Sequence, residues 1–169
     1  MTKSGPEDPS ITEQDLAFLR QAIDLARAAR AHGAHPFGCV IVDENGQVLV
    51  TARNNAVRPL GEATQHAERL ACTKAAKLFS DEVLAKSTLY TSTEPCAMCA
   101  GAIYWVGIGR VVYALSEKGL CQFTGSHEEN TTLDLPCREV FARGQKSIQV
   151  IGPLIEEEAA QVHEGFWTR

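Results

Sequence analysis

Thr-Glu-Pro-Cys-Ala-Met-Cys, at residues 93–99, is the stretch around which this sequence is organised, together with His-Ala-Glu at residues 66–68. The two segments supply one imidazole, two thiols and a carboxyl group. One histidine and two cysteines are a set of three protein ligands for zinc, and catalytic zinc sites leave the fourth position to water or substrate. We therefore predict that His66, Cys96 and Cys99 bind one zinc ion, and that Glu68 stays off the metal and carries protons.

The spacing of these residues suits the N-terminal ends of two helices. Proline is favoured at the first helical position, so we predict a helix from Pro95 through Trp105 with both cysteines in its first turn, about 60° apart. The free N–H groups and the dipole at such an end favour thiolate over thiol. His66 and Glu68 would diverge by about 200° within a helix. They can share a site only if His66 stands at the very start of the helix that we predict over residues 66–79.

The Cys-x-x-Cys spacing also occurs in structural zinc sites and in redox pairs. A structural zinc site usually has four protein ligands, but neither His127, Cys121 nor Cys137 has the spacing of a fourth one. Such a site would make the chain a zinc-stabilised binding module, in which a carboxyl that does not bind metal has no use. A redox pair would not need the His-x-Glu segment upstream. The catalytic zinc site is the interpretation that uses all four residues.

Helix and strand patterns alternate along the chain. Thr12 and Asp15 are spaced as a capping box, which predicts a first helix that ends at His32-Gly33. An almost continuous apolar run at residues 36–42 and the turn signal Asn45-Gly46 predict a hairpin with a second strand at residues 48–52. The remaining predicted elements are strands at 88–92, 109–115 and 147–151, a loose segment at 116–136, and a last helix at 154–166.

This order of elements predicts an α/β fold with three layers, α/β/α. The first two strands form a hairpin, whereas later strands are joined through helices and should run parallel, so the central sheet is predicted to be mixed. A length of 169 residues suits a single domain over residues 1–169, with a flexible tail at residues 1–10.

Charge and composition restrict the partners of the chain. The sequence contains no run of eighteen apolar residues, so no membrane span is predicted. The first ten residues lack the apolar core of a signal peptide, and we therefore expect a cytoplasmic protein. From residue 120 onward, four basic residues stand against eight acidic ones. Because nucleic-acid binding needs basic groups to neutralise phosphates, we expect a small-molecule substrate and no nucleic-acid partner.

With His66, Glu68, Cys96 and Cys99 in this arrangement, the chain resembles the cytidine deaminase-like superfamily of zinc enzymes over about residues 16–114. The segments 36–38, 54–55 and 101–105 look most like those of bacterial guanine deaminases. The resemblance implies the three-layer fold, a homodimer and one zinc ion per subunit. It also implies hydrolysis of an exocyclic amino group on a free nucleobase or nucleoside, with release of ammonia.

The resemblance further implies which residues hold the base. Asn54 and the backbone of Ala67 would bind it, with Phe37 or Trp105 against its face. From the residues alone, Asn54 is also consistent with turn chemistry, and Trp105 with core packing. The aromatic C-terminal end would close the site of its own subunit or of a partner through Phe166 and Trp167.

A guanine-type purine is the substrate that we expect, while cytosine, isoguanine and other amino-azine bases remain open. Guanine deaminases of this type carry an acidic residue after the fourth strand, and residues 117–123 have none beside Phe123. Deamination of adenosine in tRNA uses a similar motif and would need phosphate contacts. The acidic last third of the chain disfavours it.

Overall fold

The fold is built on one mixed sheet of five strands, in a computed structural model that describes residues 11–125 and 127–168. The strands are Gly38–Val42 (β1), Val48–Arg53 (β2), Thr88–Thr93 (β3), Arg110–Leu115 (β4) and Gln149–Ile151 (β5). They lie in the order β2-β1-β3-β4-β5, with β1 antiparallel to both of its neighbours and β3, β4 and β5 parallel. The predicted mixed sheet is confirmed, whereas the predicted tail at residues 1–10 lies outside the described residues.

Helices cover both faces of this sheet. They are Glu13–Ala31 (α1), Ala67–Leu78 (α2), Asp81–Ala85 (α3), Ala97–Val106 (α4), Glu117–Thr124 (α5), Cys137–Ala142 (α6) and Glu156–Ala160 (α7), followed by a 3-10 turn at Gln161–His163. Apolar side chains of α2, α3, α4 and α6 pack on one face, and those of α1, α5 and α7 pack on the other. The predicted α/β/α layering is therefore confirmed. None of the helices within the described residues has the length and apolar content needed to cross a bilayer.

The contact between α1 and β1 fixes where the first strand begins. The predicted capping box is present, because the amide N–H of Asp15 donates to the Thr12 hydroxyl and the amide N–H of Thr12 donates to the Asp15 carboxylate. At Gly38, a Cβ atom would lie 2.6 Å from backbone atoms of Ala22 and Ala26. Only glycine allows so close an approach of helix to strand, and the approach places the preceding residue, Phe37, at the edge of the sheet.

Three sequence predictions need correction. Helix α4 does not begin at Pro95, because Cys96 is its N-cap with extended backbone (φ −65°, ψ 169°). The last helix is shorter than residues 154–166, since α7 covers only Glu156–Ala160 and a 3-10 turn follows. The segment 116–136 is not wholly loose, because it contains α5. Helices α3, α5 and α6 have only five to eight residues, too few for apolar periodicity to reveal them.

Candidate metal centre

Two helix N-termini meet at the edge of the sheet and bring three metal-binding side chains together. His66 is the N-cap of α2 and Cys96 is the N-cap of α4, both with extended backbone, and Cys99 lies in the first turn of α4. Neither N-cap side chain hydrogen-bonds to its own helix, so both are free to point toward each other. The prediction that His66 stands at the very start of its helix is confirmed.

The distances between the donor atoms fit a zinc ion. Nδ1 of His66 lies 3.6 Å from Sγ of Cys96, and the donor atoms of His66, Cys96 and Cys99 all lie within 4.8 Å of one another. Nitrogen and sulfur ligands of a tetrahedral zinc ion are about 3.5–3.8 Å apart, given bond lengths of about 2.0–2.3 Å. Among the described residues, these are the three whose geometry could hold a metal ion. Three protein ligands leave one tetrahedral position for a small molecule.

The surroundings of Cys96 favour its thiolate. Hydrogen bonds from Cys99 and from the imidazole of His66 lower the pKa of the Cys96 thiol to about 4, although burial acts in the opposite direction. Cys99 is more deeply buried, and its contact with the negative Cys96 raises the pKa of its own thiol. A divalent cation placed between the two sulfurs would favour loss of the second proton as well.

Glu68 lies beside the donor cluster but is not part of it. It belongs to the first turn of α2, is 5% exposed, and its carboxylate accepts a hydrogen bond of 2.5 Å from the Thr91 hydroxyl on β3. Burial raises the pKa of Glu68, and the Thr91 hydrogen bond partly offsets that effect. A raised pKa makes the carboxylate a stronger base, which suits a group that accepts and returns protons.

A cavity of about 450 Å³ opens next to these residues. Its walls include five glutamates and neither lysine nor arginine. The hydroxyl of Thr93 is buried in this wall without a partner among the described residues. The lining residues are Phe37, Ala63, His66, Glu68, Thr93, Glu94, Cys96, Met98, Glu117, Leu120, Glu128, Glu129, Asn130, Thr131 and Leu133.

The part of the cavity wall that comes from residues after β4 was missed by the sequence analysis, and Glu94 holds some of it in place. One oxygen of its carboxylate accepts the amide N–H of Glu117 at 3.1 Å, and the other accepts the amide N–H of Cys137 at 3.2 Å. Glu94 thus fixes the starts of α5 and α6 to the end of β3. The signal for α5 was present as Ser116, whose hydroxyl caps the helix by accepting from the amide of Gly119.

The other part of this wall is the segment 127–135. The hydrogen bonds made by its backbone N–H groups stay local, from His127 to Thr124, from Asn130 to His127 and from Leu135 to Leu133. A side-chain bond of 3.0 Å between Glu129 and the buried His35 holds it to the body of the protein. Burial lowers the pKa of His35, although Glu129 acts in the opposite direction.

The comparison with known proteins agrees with this geometry. Residues 12–115 match the cytidine and deoxycytidylate deaminase zinc-binding region, which covers more than half of the chain. The chain belongs to this family. The predicted family and the predicted zinc cofactor are thereby confirmed, and the match spans all four residues from which both were inferred.

Relatives within the deaminase family differ in their substrates. A probable cytosine deaminase of Schizosaccharomyces pombe is 47% identical over 157 residues, which cover 93% of this chain and 94% of the relative. The solved guanine deaminase of Nitrosomonas europaea is 25% identical with a TM-score of 0.73, covering 96% and 90% of the two chains. A solved neighbour with bound 8-azaguanine is 25% identical with a TM-score of 0.75, covering 92% and 86%. The other relatives include tRNA-specific adenosine deaminases.

The structure places the predicted base-binding residues of this deaminase in different environments. Phe37 lines the cavity. Asn54 is buried, and its carboxamide oxygen accepts the backbone N–H of Ala56 at 2.8 Å. The backbone N–H of Asn54 donates to the backbone carbonyl of Phe37. Ala67 is buried in the first turn of α2. Trp105 is 79% exposed on α4 and does not belong to the cavity lining of this chain.

The aromatic C-terminal end packs on its own chain, behind the cavity wall. Phe166 and Trp167 are both buried, and the Trp167 ring lies 5.1 Å from that of His35 and 6.2 Å from that of Phe37. The indole N–H of Trp167 donates to Nδ1 of His163 at 3.2 Å. The two aromatic residues therefore support Phe37 and His35 from behind and are not among the lining residues.

Proposed function

We propose that this chain is a zinc-dependent hydrolase that removes the exocyclic amino group of a free nucleobase as ammonia. One observation carries the proposal: a buried carboxyl group, that of Glu68, lies beside a cluster of three metal-binding side chains without belonging to it. A structural zinc site gains nothing from such a group, whereas hydrolysis of an amidine needs a proton carrier there.

The residues of the chain divide the work of this reaction. His66, Cys96 and Cys99 would hold the zinc ion, which when bound would activate a water molecule for attack on the carbon that bears the amino group. Glu68 takes a proton from the attacking water and gives it to the adjacent ring nitrogen. It then transfers the second proton to the departing amino group, so that the ring keeps a carbonyl and ammonia leaves. Thr91 holds the Glu68 carboxyl in place through its hydrogen bond of 2.5 Å.

The charge of the cavity supports a free base over a phosphorylated substrate. Five glutamates line it, and no lysine or arginine among the described residues joins them. A phosphate group would lack a cationic partner there and would be repelled by the carboxylates. The same argument disfavours an RNA substrate, whose backbone brings several phosphates close to the site.

Cytosine is the first base to test, and guanine is the second. The probable cytosine deaminase matches this chain over 93% of its length, so the aligned part extends beyond the metal site into the segment after β4. Guanine, which we expected from the sequence, is favoured by the likeness of the fold to guanine deaminases and by the neighbour that binds 8-azaguanine. Phe37 on the cavity wall offers an aromatic side chain for contact with a ring of either kind.

The test is ammonia release by the zinc-loaded protein with cytosine, guanine, isoguanine, adenine, their nucleosides and a tRNA anticodon stem-loop. We expect turnover of one or more free bases, loss of turnover after chelation, and recovery with added zinc. If no free base yields ammonia, the proposal fails. If only the stem-loop yields ammonia, with turnover that collapses as salt rises, the substrate is RNA.

A further inference from the structure

A groove of about 580 Å³, separate from the cavity at the metal centre, lies at the outer edge of the sheet beside β2. Because α1 and α2 cover opposite faces of the sheet, the groove passes around the β2 edge from one face to the other. Among the described residues, it shares no lining residue with the cavity. The lining residues are Leu25, Thr51, Ala52, Arg53, Leu70, Thr73, Lys74 and Lys77.

The edge of β2 that faces this groove has no backbone partner. In the sheet, β2 is the last strand and pairs only with β1. Apart from these bonds to β1, no backbone group of Val48–Arg53 hydrogen-bonds to another part of the chain within residues 11–125 and 127–168. The six-residue strand therefore offers a row of free N–H and C=O groups, which an extended chain can pair with by adding a strand to the sheet.

Three cations surround this edge without an acidic partner. Arg53 lies at the end of β2, and Lys74 and Lys77 lie one turn apart on α2, all three exposed. In the part of the chain that the structure describes, none of them forms an ion pair, and the groove lining contains no acid. The chain as a whole carries 21 acids against 16 lysines and arginines. The groove is thus a positive site on an acidic protein, which suits an anionic occupant.

Protection of the sheet edge does not account for this arrangement. Basic residues placed on an edge strand prevent its pairing with other sheets, but here Arg53 is the only one of the three that belongs to β2. The two lysines line the groove from α2. Leu25 and Leu70, both half-buried, line it from α1 and α2. A protected edge has no use for apolar walls, whereas a bound strand gains from both the apolar contact and the charge.

The charges also indicate which kind of chain would bind. Twofold pairing of two β2 edges would bring two sets of three cations together, and like charges repel, so a second copy of this chain is disfavoured. Successive side chains of an added strand point to opposite faces of the sheet. Acidic residues at alternate positions would therefore face Lys74 and Lys77 on the α2 side, while apolar residues between them would face Leu25 on the α1 side.

We propose that this groove is a docking site for an extended acidic segment of another protein, which adds to the five-stranded sheet as a further strand beside β2. Main-chain hydrogen bonds to β2 would hold the segment, and the alternation of acidic and apolar side chains would select it. The interaction does not depend on the proposed function, because the groove and the cavity at the metal centre are separate.

The test uses the full-length, zinc-loaded protein and a labelled peptide, Glu-Val-Glu-Val-Glu-Val, which has the length of β2. Fluorescence anisotropy should show saturable binding that weakens by about 10-fold between roughly 50 and 500 mM salt, because exposed charges are screened. With saturating peptide, amide hydrogen exchange of residues 48–53 should slow by at least about 10-fold as free N–H groups become paired. The peptide Glu-Pro-Glu-Pro-Glu-Pro has the same charge but lacks N–H groups for strand pairing, and it should bind at least about 10-fold more weakly.

Lys74→Glu combined with Lys77→Glu reverses the charge of the α2 wall and should weaken binding of the valine peptide by at least about 10-fold. Lys118→Glu is the matched control, since Lys118 is an exposed lysine on α5 outside the groove, and it should bind like the wild type. Thermal unfolding and zinc content should be the same in all of these proteins. The neutral pair Lys74→Gln with Lys77→Gln supplies the answer if the charge reversal impairs folding.

Several results would refute the docking site while leaving the proposed function intact. They are absence of valine-peptide binding at about 1 mM, equal affinity for the proline peptide, and equal affinity in the double lysine variant. Self-association of the wild type in sedimentation that the double variant abolishes would make the groove an interface between copies of this chain. Tighter binding of a single-stranded oligonucleotide than of the peptide would make it a nucleic-acid site. Either result would overturn the proposal.

Discussion

Two acidic sites, one under α1 and one in the cavity beside the metal-binding residues, are built in contrasting ways. On the α1 face, the Asp15 carboxylate accepts from Arg110 at 2.8 Å, from Tyr90 at 2.6 Å and from the amide N–H of Thr12 at 2.8 Å. In the cavity beside the metal-binding residues, the carboxyl of Glu117 has no donor among the described residues. Hydrogen bonds outweigh burial at Asp15 and lower its pKa far below the usual range, whereas burial and like charges raise the pKa of Glu117 to about 7.

The number of hydrogen-bond partners of a buried carboxyl group indicates whether its role is structural. A carboxylate with every oxygen paired stabilises the fold and is saturated, so that it has nothing left to offer a ligand. A partly buried carboxyl without a donor does not stabilise the fold, and its oxygens stay available to a group that enters the cavity. Each of the following variants alters either the Asp15 cluster or the metal site and its cavity, and they are given in order of decreasing expected effect.

The largest effect is expected at the metal ligands. In Cys99→Ser, a hydroxyl replaces a thiolate that zinc prefers, so zinc content should fall and ammonia release should drop by at least about 1,000-fold. Metal analysis and an ammonia assay on the same sample would measure both quantities. The protein should still fold with the Asp15 cluster intact, as judged by circular dichroism. Full zinc content together with full turnover would show that Cys99 is not a ligand.

On the opposite side of the comparison, Asp15→Asn should reduce stability and leave the chemistry alone. It leaves the guanidinium of Arg110, 21% exposed, without its partner charge, so we expect a loss of about 2–3 kcal/mol, or roughly 5–10 °C in Tm. Zinc content and kcat/KM should stay near wild-type values. Asp24→Asn is the control, because Asp24 pairs with Arg27 on the exposed side of the same helix and should cost less than about 0.5 kcal/mol.

The pH dependence of this stability follows from the sign of the shift. The pKa of Asp15 is lowered in the folded state, so its contribution is fully present above the unfolded value of about 4 and is lost as the pH falls further. The difference in unfolding free energy between wild type and Asp15→Asn should therefore be constant from pH 7 to about pH 5 and shrink below about pH 4. A difference that grows on acidification would contradict the assignment.

A smaller effect is expected where a structural group supports a catalytic one. Thr91→Val keeps the shape of the side chain but removes the hydroxyl that donates to Glu68. The carboxyl loses its fixed orientation, so kcat should fall by about 10-fold, equivalent to about 1.4 kcal/mol, with zinc content unchanged. Single-turnover kinetics at saturating substrate would measure this. An unchanged kcat would mean that Glu68 does not depend on Thr91.

The smallest effect is expected for the segment 127–135, which Glu129 holds against His35. Glu129→Ala should loosen this wall, so that amide hydrogen exchange within the segment accelerates and KM rises by roughly 2- to 5-fold. Glu157→Ala, an exposed acid on α7, is the control. Exchange rates identical to wild type would show that the Glu129–His35 bond does not hold the segment.

The metal-binding half of the site follows from local sequence, and so does most of the fold. The capping box at Thr12 and Asp15, the hairpin at Asn45-Gly46, and the placement of His66 at a helix start all depend on neighbours within a few residues. Such short-range constraints are readable from one chain. The same holds for the spacing of Cys96 and Cys99, which one helix end fixes.

The acidic wall was not predictable in the same way. Glu117 is held at the cavity by Glu94, which lies twenty-three residues earlier and accepts its amide N–H. Glu129 is held there by a side-chain bond to His35, which lies ninety-four residues earlier. Contacts over such separations leave no periodic signal in the sequence. For Trp105, the resemblance predicted a position at the site, whereas the side chain lies exposed on α4 in this chain. Pro95 satisfied the rule for a first helical residue, but the chain uses Cys96 as the cap.

The measurement that bears most directly on the central claim compares the wild type with Glu68→Gln at equal zinc content. The substitution keeps the volume of the side chain and an acceptor for the Thr91 hydroxyl, but it removes the proton carrier. We predict one zinc ion per chain in both proteins, with ammonia release in the wild type and a loss of at least about 1,000-fold in the variant. Turnover of the variant at a rate close to that of the wild type would contradict the account.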